Sequence, residues 1–309
     1  MNCLIWNCQG IVNRGTRHAL KLLIQKHKSC LVFLSETHCT KQQHKTLLRL
    51  VGLPHIAHFD RVDRAGGLAL MWDDSISVQV RDVNRYFIDA MVKGLDNVEW
   101  RFTGFYGHPE TGQRHVSWDL LRSLARDPVE KWIVVGDFNE ILDLGEKSGG
   151  RLRSQGQMQA FRQALSDYNL EDMGAAGGIY TWSSPGIKER LDKGTCSPAW
   201  RTEFSFSRVV NLHPSRSDHV PILLEVSREP PQLERWRRRF RFEEMWCAHE
   251  GFTQKVEEVW SESYNGNPML QLCRKIRGVG NQLLTWDRTI FRSRREEVEV
   301  VRSQLNTLL

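Results

Sequence analysis

The sequence predicts a mixed α/β protein built from packed sheets, followed by a basic linker and a helical extension. Three observations carry that prediction. Short apolar runs of strand length recur through the first 227 residues, separated by Gly, Asp and Asn turns. Few stretches among them show helical spacing. At 228 the composition changes, with REPPQLERWRRRFR carrying six arginines against two glutamates, a net charge of +4.

The chain opens as strand, helix, strand: CLIW at 3–6, Leu20, Leu23 and Ile24 at helical spacing within 17–28, and LVFL at 31–34. Further strands are expected at 67–72, 76–80, 87–92, 100–106, 132–135 and 220–226. Helices are expected over 116–125, around Leu120 and Leu124, and over 155–168, with Phe161 and Leu165 on the inner face. The prolines and arginines of 228–241 mark a domain boundary. Beyond it, Asn267-Pro268 reads as a helix start, with Asn as cap and Pro in the first turn. Ile276, Val279, Leu283, Trp286 and Ile290 then follow at spacings of three and four, and a shifted stripe returns at Val298, Val301, Leu305 and Leu308. Such a seam needs a partner, either this chain's own preceding domain or a second copy.

Composition excludes whole classes. With 309 residues, 40% of them hydrophobic, and a net charge of +6, the chain is neither disordered, collagenous nor a membrane bundle. A pI near 9.0 is a modest invitation to polyanions. The seven cysteines lack CxxC spacing, which argues against a disulfide framework or a zinc site. The N-terminus has no signal-peptide pattern and no apolar run reaches membrane-spanning length, so an intracellular protein away from membranes is expected.

Polar residues repeatedly terminate the apolar runs: Asn7 after CLIW, Glu36 after LVFL, Asp137 and Asn139 around WIVVGDFN, and Asp218-His219 before VPILL. Singly, each reads as a turn residue. Together, WNCQG, LSETH, YGHP, GDFNE, RLDK and SDHVPIL stand in the order and spacing of the endonuclease/exonuclease/phosphatase family, which the first 227 residues resemble. Within that family the wording of MNCLIWNCQG, ERLDKGTCSPAW, FRFEEMW and LLTWDRTIF is most similar to the endonuclease of plant LINE-type non-LTR retrotransposons.

The resemblance implies a four-layer α/β sandwich, two face-to-face mainly antiparallel sheets flanked by helices, as a catalytic domain over 1–227. Residues 228–309 would be the basic linker and helical extension. It implies a phosphodiester hydrolase dependent on Mg2+, or alternatively Mn2+, acting on double-stranded DNA and therefore nuclear. Hydrolysis of a phosphodiester needs a hard cation to offset charge on phosphate oxygens, a group to orient or activate water, and donors for developing charge. By resemblance, Glu36 is the principal metal ligand, with Asn7 beside it and Asp218 a second acidic position near the metal. Asp137 would orient or deprotonate the water, and Asn139 would donate a hydrogen bond to water or phosphate. His219 would meet the scissile phosphate with Asp192 as its carboxylate partner, and Tyr106 would also contact phosphate. Trp182 falls where the family packs a side chain near DNA. The other histidines, His44 and His58 among them, carry no motif and read as surface or satisfied positions. Two departures from the pattern are Lys193 in RLDK, where relatives more often have Arg, and a short segment between Trp182 and Asp192.

Other readings use the same residues. An abasic-site repair endonuclease differs in substrate preference. An inositol or lipid phosphatase would be expected to carry longer signatures around GDFNE. A decayed retroelement copy would act only as a binding module, against which the retained Asp137, Asp192, Asp218 and His219 count.

Overall fold

Strands covered on both faces read as unbroken apolar runs, and the two runs that open the chain are of this kind. In the computed structural model, which describes residues 1–62, 65–94, 97–126, 129–213, 216–230, 242–263 and 268–290, β1 (Asn2–Asn7) and β2 (Leu31–Ser35) pair in parallel across α1 (Arg14–His27). The Asn13 side chain caps α1 by accepting from the Gly15 N–H at 2.7 Å. A second helix, α2 (Lys41–Val51), was not foreseen. It begins with a capping box, in which the Thr40 N–H donates to Gln43 Oε1 at 2.9 Å. Its inner face hides His44 ahead of Leu47 and Val51, and the polar residue breaks the apolar stripe that would have announced it.

The hairpin β3 (His55–Phe59) and β4 (Leu68–Trp72) precedes the meander β5 (Ser77–Val83), β6 (Phe87–Lys93) and β7 (Glu99–Tyr106). After α3 (Arg114–Ala125), β8 (Trp132–Asp137) pairs in parallel with β7. The short β9 (Lys147–Ser148), α4 (Gln155–Ser166), β10 (Glu171–Asp172), β11 (Ala176–Gly177), β12 (Trp182–Ser184) and β13 (Ile187–Glu189) lead to β14 (Asp192–Cys196). Then come α5 (Pro198–Glu203), β15 (Arg208–Asn211) and β16 (Ile222–Glu225). Strands as short as β9 to β13 leave no periodicity to read, and the sequence did not indicate them.

Among the described residues the strands form a seven-stranded sheet, ordered β11-β15-β16-β1-β2-β4-β3, a six-stranded sheet, ordered β10-β14-β8-β7-β6-β5, and a small third sheet, β12-β13-β9. The two large sheets lie face to face. Cys3, Ile5, Leu31, Phe33, Leu68 and Leu70 of the first interleave with Ile88, Val92, Phe102, Ile133 and Val135 of the second. The alternate residues face outward: Leu4, Trp6, Val32 and Leu34 are covered by α1 and α2, and Phe105, Trp132 and Val134 by α3 and α4. The result is the four-layer sandwich, helices outside and mainly antiparallel sheets within.

The chain divides into two compact units, residues 1–231 and 232–309. In the second, α6 (Phe252–Trp260) and α7 (Pro268–Ile290) pack with Trp246, whose indole N–H donates to Asp287 Oδ1 at 2.9 Å. Of the expected stripe, Leu283 and Trp286 are buried and Val279 partly so, while Ile276 and Ile290 are 56% and 40% exposed. Only the middle of the seam is therefore covered within this unit. Asn267, the shifted stripe at 298–308 and the basic run 235–241 lie outside the described residues. Among the described residues no helix is long and apolar enough to cross a membrane.

Candidate active site

One parity rule assembles the site. Along a strand, alternate side chains share a face, and in β1 the inter-sheet face carries Cys3 and Ile5, so Asn7 falls on it at the strand end. The same count leads through Ile133 and Val135 to Asp137 on β8, through Phe102 to Tyr106 on β7, and back from Cys196 to Asp192 at the start of β14. The register pairs Asp137 with Asp192 on one side and with Tyr106 on the other. The inter-sheet core thus ends, at one edge of the sandwich, in a buried polar layer.

Glu36 reaches this layer by breaking the alternation. It follows β2 with φ 49°, a left-handed conformation unusual for a non-glycine residue. Its Oε1 accepts from Asn7 Nδ2 at 3.0 Å and from the Tyr106 hydroxyl at 2.7 Å. Asn7 Nδ2 also donates to Asp137 Oδ2 at 2.9 Å, so one amide nitrogen ties the two carboxylates together. The Asn7 oxygen accepts from the Gln9 N–H at 3.4 Å. Asn139, with φ 56°, donates its backbone N–H to Asp137 Oδ1 at 2.8 Å and its side-chain amide to the Gly107 carbonyl at 2.9 Å.

His219 completes the constellation. Its Nδ1 lies 2.8 Å from Asp192 Oδ2 and its Nε2 3.7 Å from Asp137 Oδ2. Burial opposes charge on this ring, but Asp192 and then Asp137 outweigh it and raise its pKa to about 10. The ring is therefore an imidazolium at neutral pH, with both N–H groups directed at carboxylates. Burial raises the Asp137 carboxyl to about 6; His219 pulls it down and Asp192 pushes it up. Burial, followed by the neighbouring Glu36 and Asp137, drives the Tyr106 phenol far above its ordinary value and keeps it a donor.

Asp218 stands apart from the Asn7-centred network. Its Oδ2 accepts from the Trp182 indole at 2.8 Å and its Oδ1 from Ser217 Oγ at 3.4 Å. The structure thus joins Asn7, Glu36, Tyr106, Asp137, Asn139, Asp192 and His219 through direct contacts, and holds Asp218 beside His219 by Trp182.

Several positioning residues were not anticipated, although each is within a quoted motif or, for Thr181, next to Trp182. The Trp6 indole donates to the His219 carbonyl at 3.1 Å. Ser217 Oγ donates to the Asn7 carbonyl at 2.9 Å and accepts from the His219 N–H at 3.1 Å. Thr181 Oγ1 accepts from the N–H groups of Leu191 and Asp192 at 3.0 and 2.9 Å, fixing the start of β14. Lys193 is fully buried, 3.1 Å from Glu146 Oε2, and serves the interior beneath the site.

Asp137 and Asp192 lie against the single imidazolium, Glu36 is tied to Asp137 through Asn7, and Asp218 precedes His219 in the chain, so four carboxylates gather around one cation. That excess of hard oxygen donors fits a divalent cation of the Mg2+ type.

Comparisons with known proteins agree with this architecture. The family model described as the Endonuclease/Exonuclease/phosphatase family matches residues 4–220. Among solved structures, the chain is similar to a 3′ phosphatase from Neisseria bound to product DNA hairpin (19% identity, TM-score 0.56, covering 74% of this chain and 99% of that one). It is similar also to the endonuclease domain of TRAS1, a telomere-specific non-LTR retrotransposon (14%, 0.59, 74% and 99%). A third is an AP endonuclease from Leishmania major (14%, 0.56, 73% and 87%). Likeness at these identities shows the fold alone. No curated protein sequence matches the chain. Both the family match, which spans most of the chain, and the sandwich with its polar edge lead to one assignment: the chain belongs to the endonuclease/exonuclease/phosphatase family.

Proposed function

We propose that residues 1–227 are a metal-dependent phosphodiester hydrolase that nicks double-stranded DNA, as a retroelement does when it opens target DNA to leave a 3′-hydroxyl primer. The carrying observation is the continuous chain Asp192, His219, Asp137, Asn7, Glu36, in which an imidazolium and a carboxylate of raised pKa sit at one edge of the sandwich. A DNA substrate draws support from the neighbour solved with a DNA hairpin and from the retroelement endonuclease sharing the fold. The retroelement assignment rests on the sequence wording, and nuclear residence follows from the substrate.

Glu36, Asp218 and the Asn7 amide oxygen, once that amide turns over, are the residues that would hold Mg2+, with Mn2+ an alternative. Bound there, the cation offsets negative charge on the phosphate oxygens. Asp137, with a pKa of about 6, is ionised at neutral pH yet basic enough to accept a proton. It orients the attacking water and takes its proton as the water oxygen bonds to phosphorus. The P–O3′ bond breaks and its electron pair stays on O3′, which takes up a proton from solvent to give the 3′-hydroxyl and leaves a 5′-phosphate, and Asp137 returns the proton it took to solvent. His219 faces the phosphate through Nε2 and neutralises developing charge, while Asp192 holds the ring and its charge. Tyr106 positions Glu36 through its hydroxyl, and Asn139 holds Asp137.

Residues 228–309 are proposed as a basic linker and helical extension whose apolar seam serves either self-association or docking on the same chain. Plasmid nicking with Mg2+ against EDTA, beside Asp137→Ala and His219→Ala, tests the activity. Open circles that need metal and disappear in both variants support it. A folded, metal-binding protein that leaves supercoiled plasmid intact overturns it, and turnover of abasic duplex or of inositol phosphates instead assigns one of the other readings.

A further inference from the structure

A second cluster of ligating side chains lies away from the active site. His44 on α2, His58 on β3 and Asp60 just beyond β3 place one ligand atom each within 4.8 Å of one another. His44 Nδ1 is 3.3 Å and His58 Nε2 3.5 Å from Asp60 Oδ1, and the two rings stand 4.6 Å apart between centroids. Donor atoms around a tetrahedral Zn2+, each at about 2.0–2.1 Å from the metal, stand roughly 3.3 Å apart. Both spacings to Asp60 Oδ1 are close to that separation.

His44 is wholly buried, and its Nδ1 and Asp60 Oδ1 are buried atoms without a hydrogen-bond partner. Buried polar atoms are rarely left so. The other nitrogen of His44, Nε2, meets Thr37 Oγ1 at 3.2 Å. A proton on Nε2 donated to that hydroxyl leaves the Nδ1 lone pair facing the cluster, the arrangement in which an outer hydrogen bond fixes a ligating imidazole. His58 and Asp60 have side-chain exposures of 22% and 45%, which gives an ion a path from solvent.

We propose that His44, His58 and Asp60 form a transition-metal site, separate from the active site, that takes Zn2+, Co2+ or Ni2+ and leaves a fourth position to water. Two imidazoles with one carboxylate suit these metals, whereas Mg2+ prefers oxygen donors alone. The site staples α2 to β3, and through Thr37 to the turn that presents Glu36. Cysteine spacing argues against zinc but carries no information about two histidines far apart in sequence.

The test uses the full chain, stripped with a chelator and titrated with Zn2+ in excess Mg2+, for wild type, His58→Ala and Asp60→Asn. The partly exposed His58 and Asp60 are replaced because His44→Ala would open the core. Wild type is expected to bind one Zn2+ more than His58→Ala and to melt at a higher temperature with zinc, a rise that His58→Ala loses. Asp60→Asn should bind at least tenfold more weakly. Co2+ should give a visible absorption of low coordination number in wild type that is missing from His58→Ala. Equal zinc stoichiometry and affinity in wild type and the folded variants overturn the proposal; if His58→Ala does not fold, Asp60→Asn decides alone.

Discussion

Asp137 and Asp192 stand directly opposite one another in the antiparallel ladder of β8 and β14, and the His219 ring lies against both carboxylates. Two buried acids at such a separation cannot be equivalent. Asp192, hydrogen-bonded to Nδ1, stabilises the imidazolium, and Asp137 is left as the carboxylate whose burial raises its pKa to about 6. Ladder geometry thus sets the two acids apart, as the proposed roles of ring holder for Asp192 and base for Asp137 require.

Asp192→Asn should keep the shape and remove the charge. The His219 pKa then falls from about 10 towards the ordinary histidine value, and kcat/KM drops by about 10²–10⁴, the usual contribution of a positioned acid or base. Because the folded-state pKa is raised, the ring contributes stability that is complete below its unfolded value and lost as pH rises through about 10. The variant should lose most of that alkaline dependence, as read by urea unfolding across the range and by NMR titration of the ring. An unchanged histidine titration would contradict the assignment.

The pH profile follows from Asp137. If Asp137 is the proposed base, activity requires its carboxylate, and kcat/KM should rise with pH along an acid limb at or below about 6, since a bound cation can only lower the pKa further. Stability runs the other way. A carboxyl whose pKa is raised on folding binds its proton more tightly in the native state, so metal-free protein should lose stability from this group as pH climbs from 3.8 through about 6. Asp137→Asn should flatten that slope in urea unfolding series, and an acid limb well above neutrality would count against Asp137.

Tyr106→Phe should spare the fold, because the ring stays in the inter-sheet core, and remove the 2.7 Å bond to Glu36. Losing the partner of a metal-ligating carboxylate typically costs about 10- to 100-fold in metal affinity. The Mg2+ concentration for half-maximal nicking should rise accordingly, with most activity recovered at saturating metal. An unaltered Mg2+ requirement would remove Tyr106 from this role.

Gly104→Ala tests the contact between the sheets. A Cβ at this position on β7 would stand 2.3–2.6 Å from three carbons of the Phe33 ring on β2. Overpacking of a filled core costs about 1–3 kcal/mol, so the urea midpoint should fall without a change in secondary structure. A midpoint equal to wild type would mean that the sheets part at little cost.

Much of this was readable along the chain. The apolar runs at 3–6, 31–34 and 132–135 became β1, β2 and β8, because strands buried on both faces are apolar at nearly every position, and the mixed run at 100–106 became β7, whose buried Arg101 and Thr103 are paired with Asp89. Asn7, Glu36, Asp137 and His219 were conspicuous as polar residues set at the ends of such runs. α2 escaped because its inner face begins with a buried histidine, and β9 to β13 because two or three residues carry no period.

The sequence by itself determined which residue types close each strand and which family the motifs belong to, since both are local properties of short strings. Only the tertiary structure decided that Asp192 faces Asp137, that Asn7 bridges Glu36 to Asp137, and that His44 meets His58 and Asp60. Each depends on strand register, on a left-handed turn at Glu36 or on the docking of a helix against a sheet. Those are fixed by burying apolar surface shared among segments distant in sequence, and such burial leaves no local pattern.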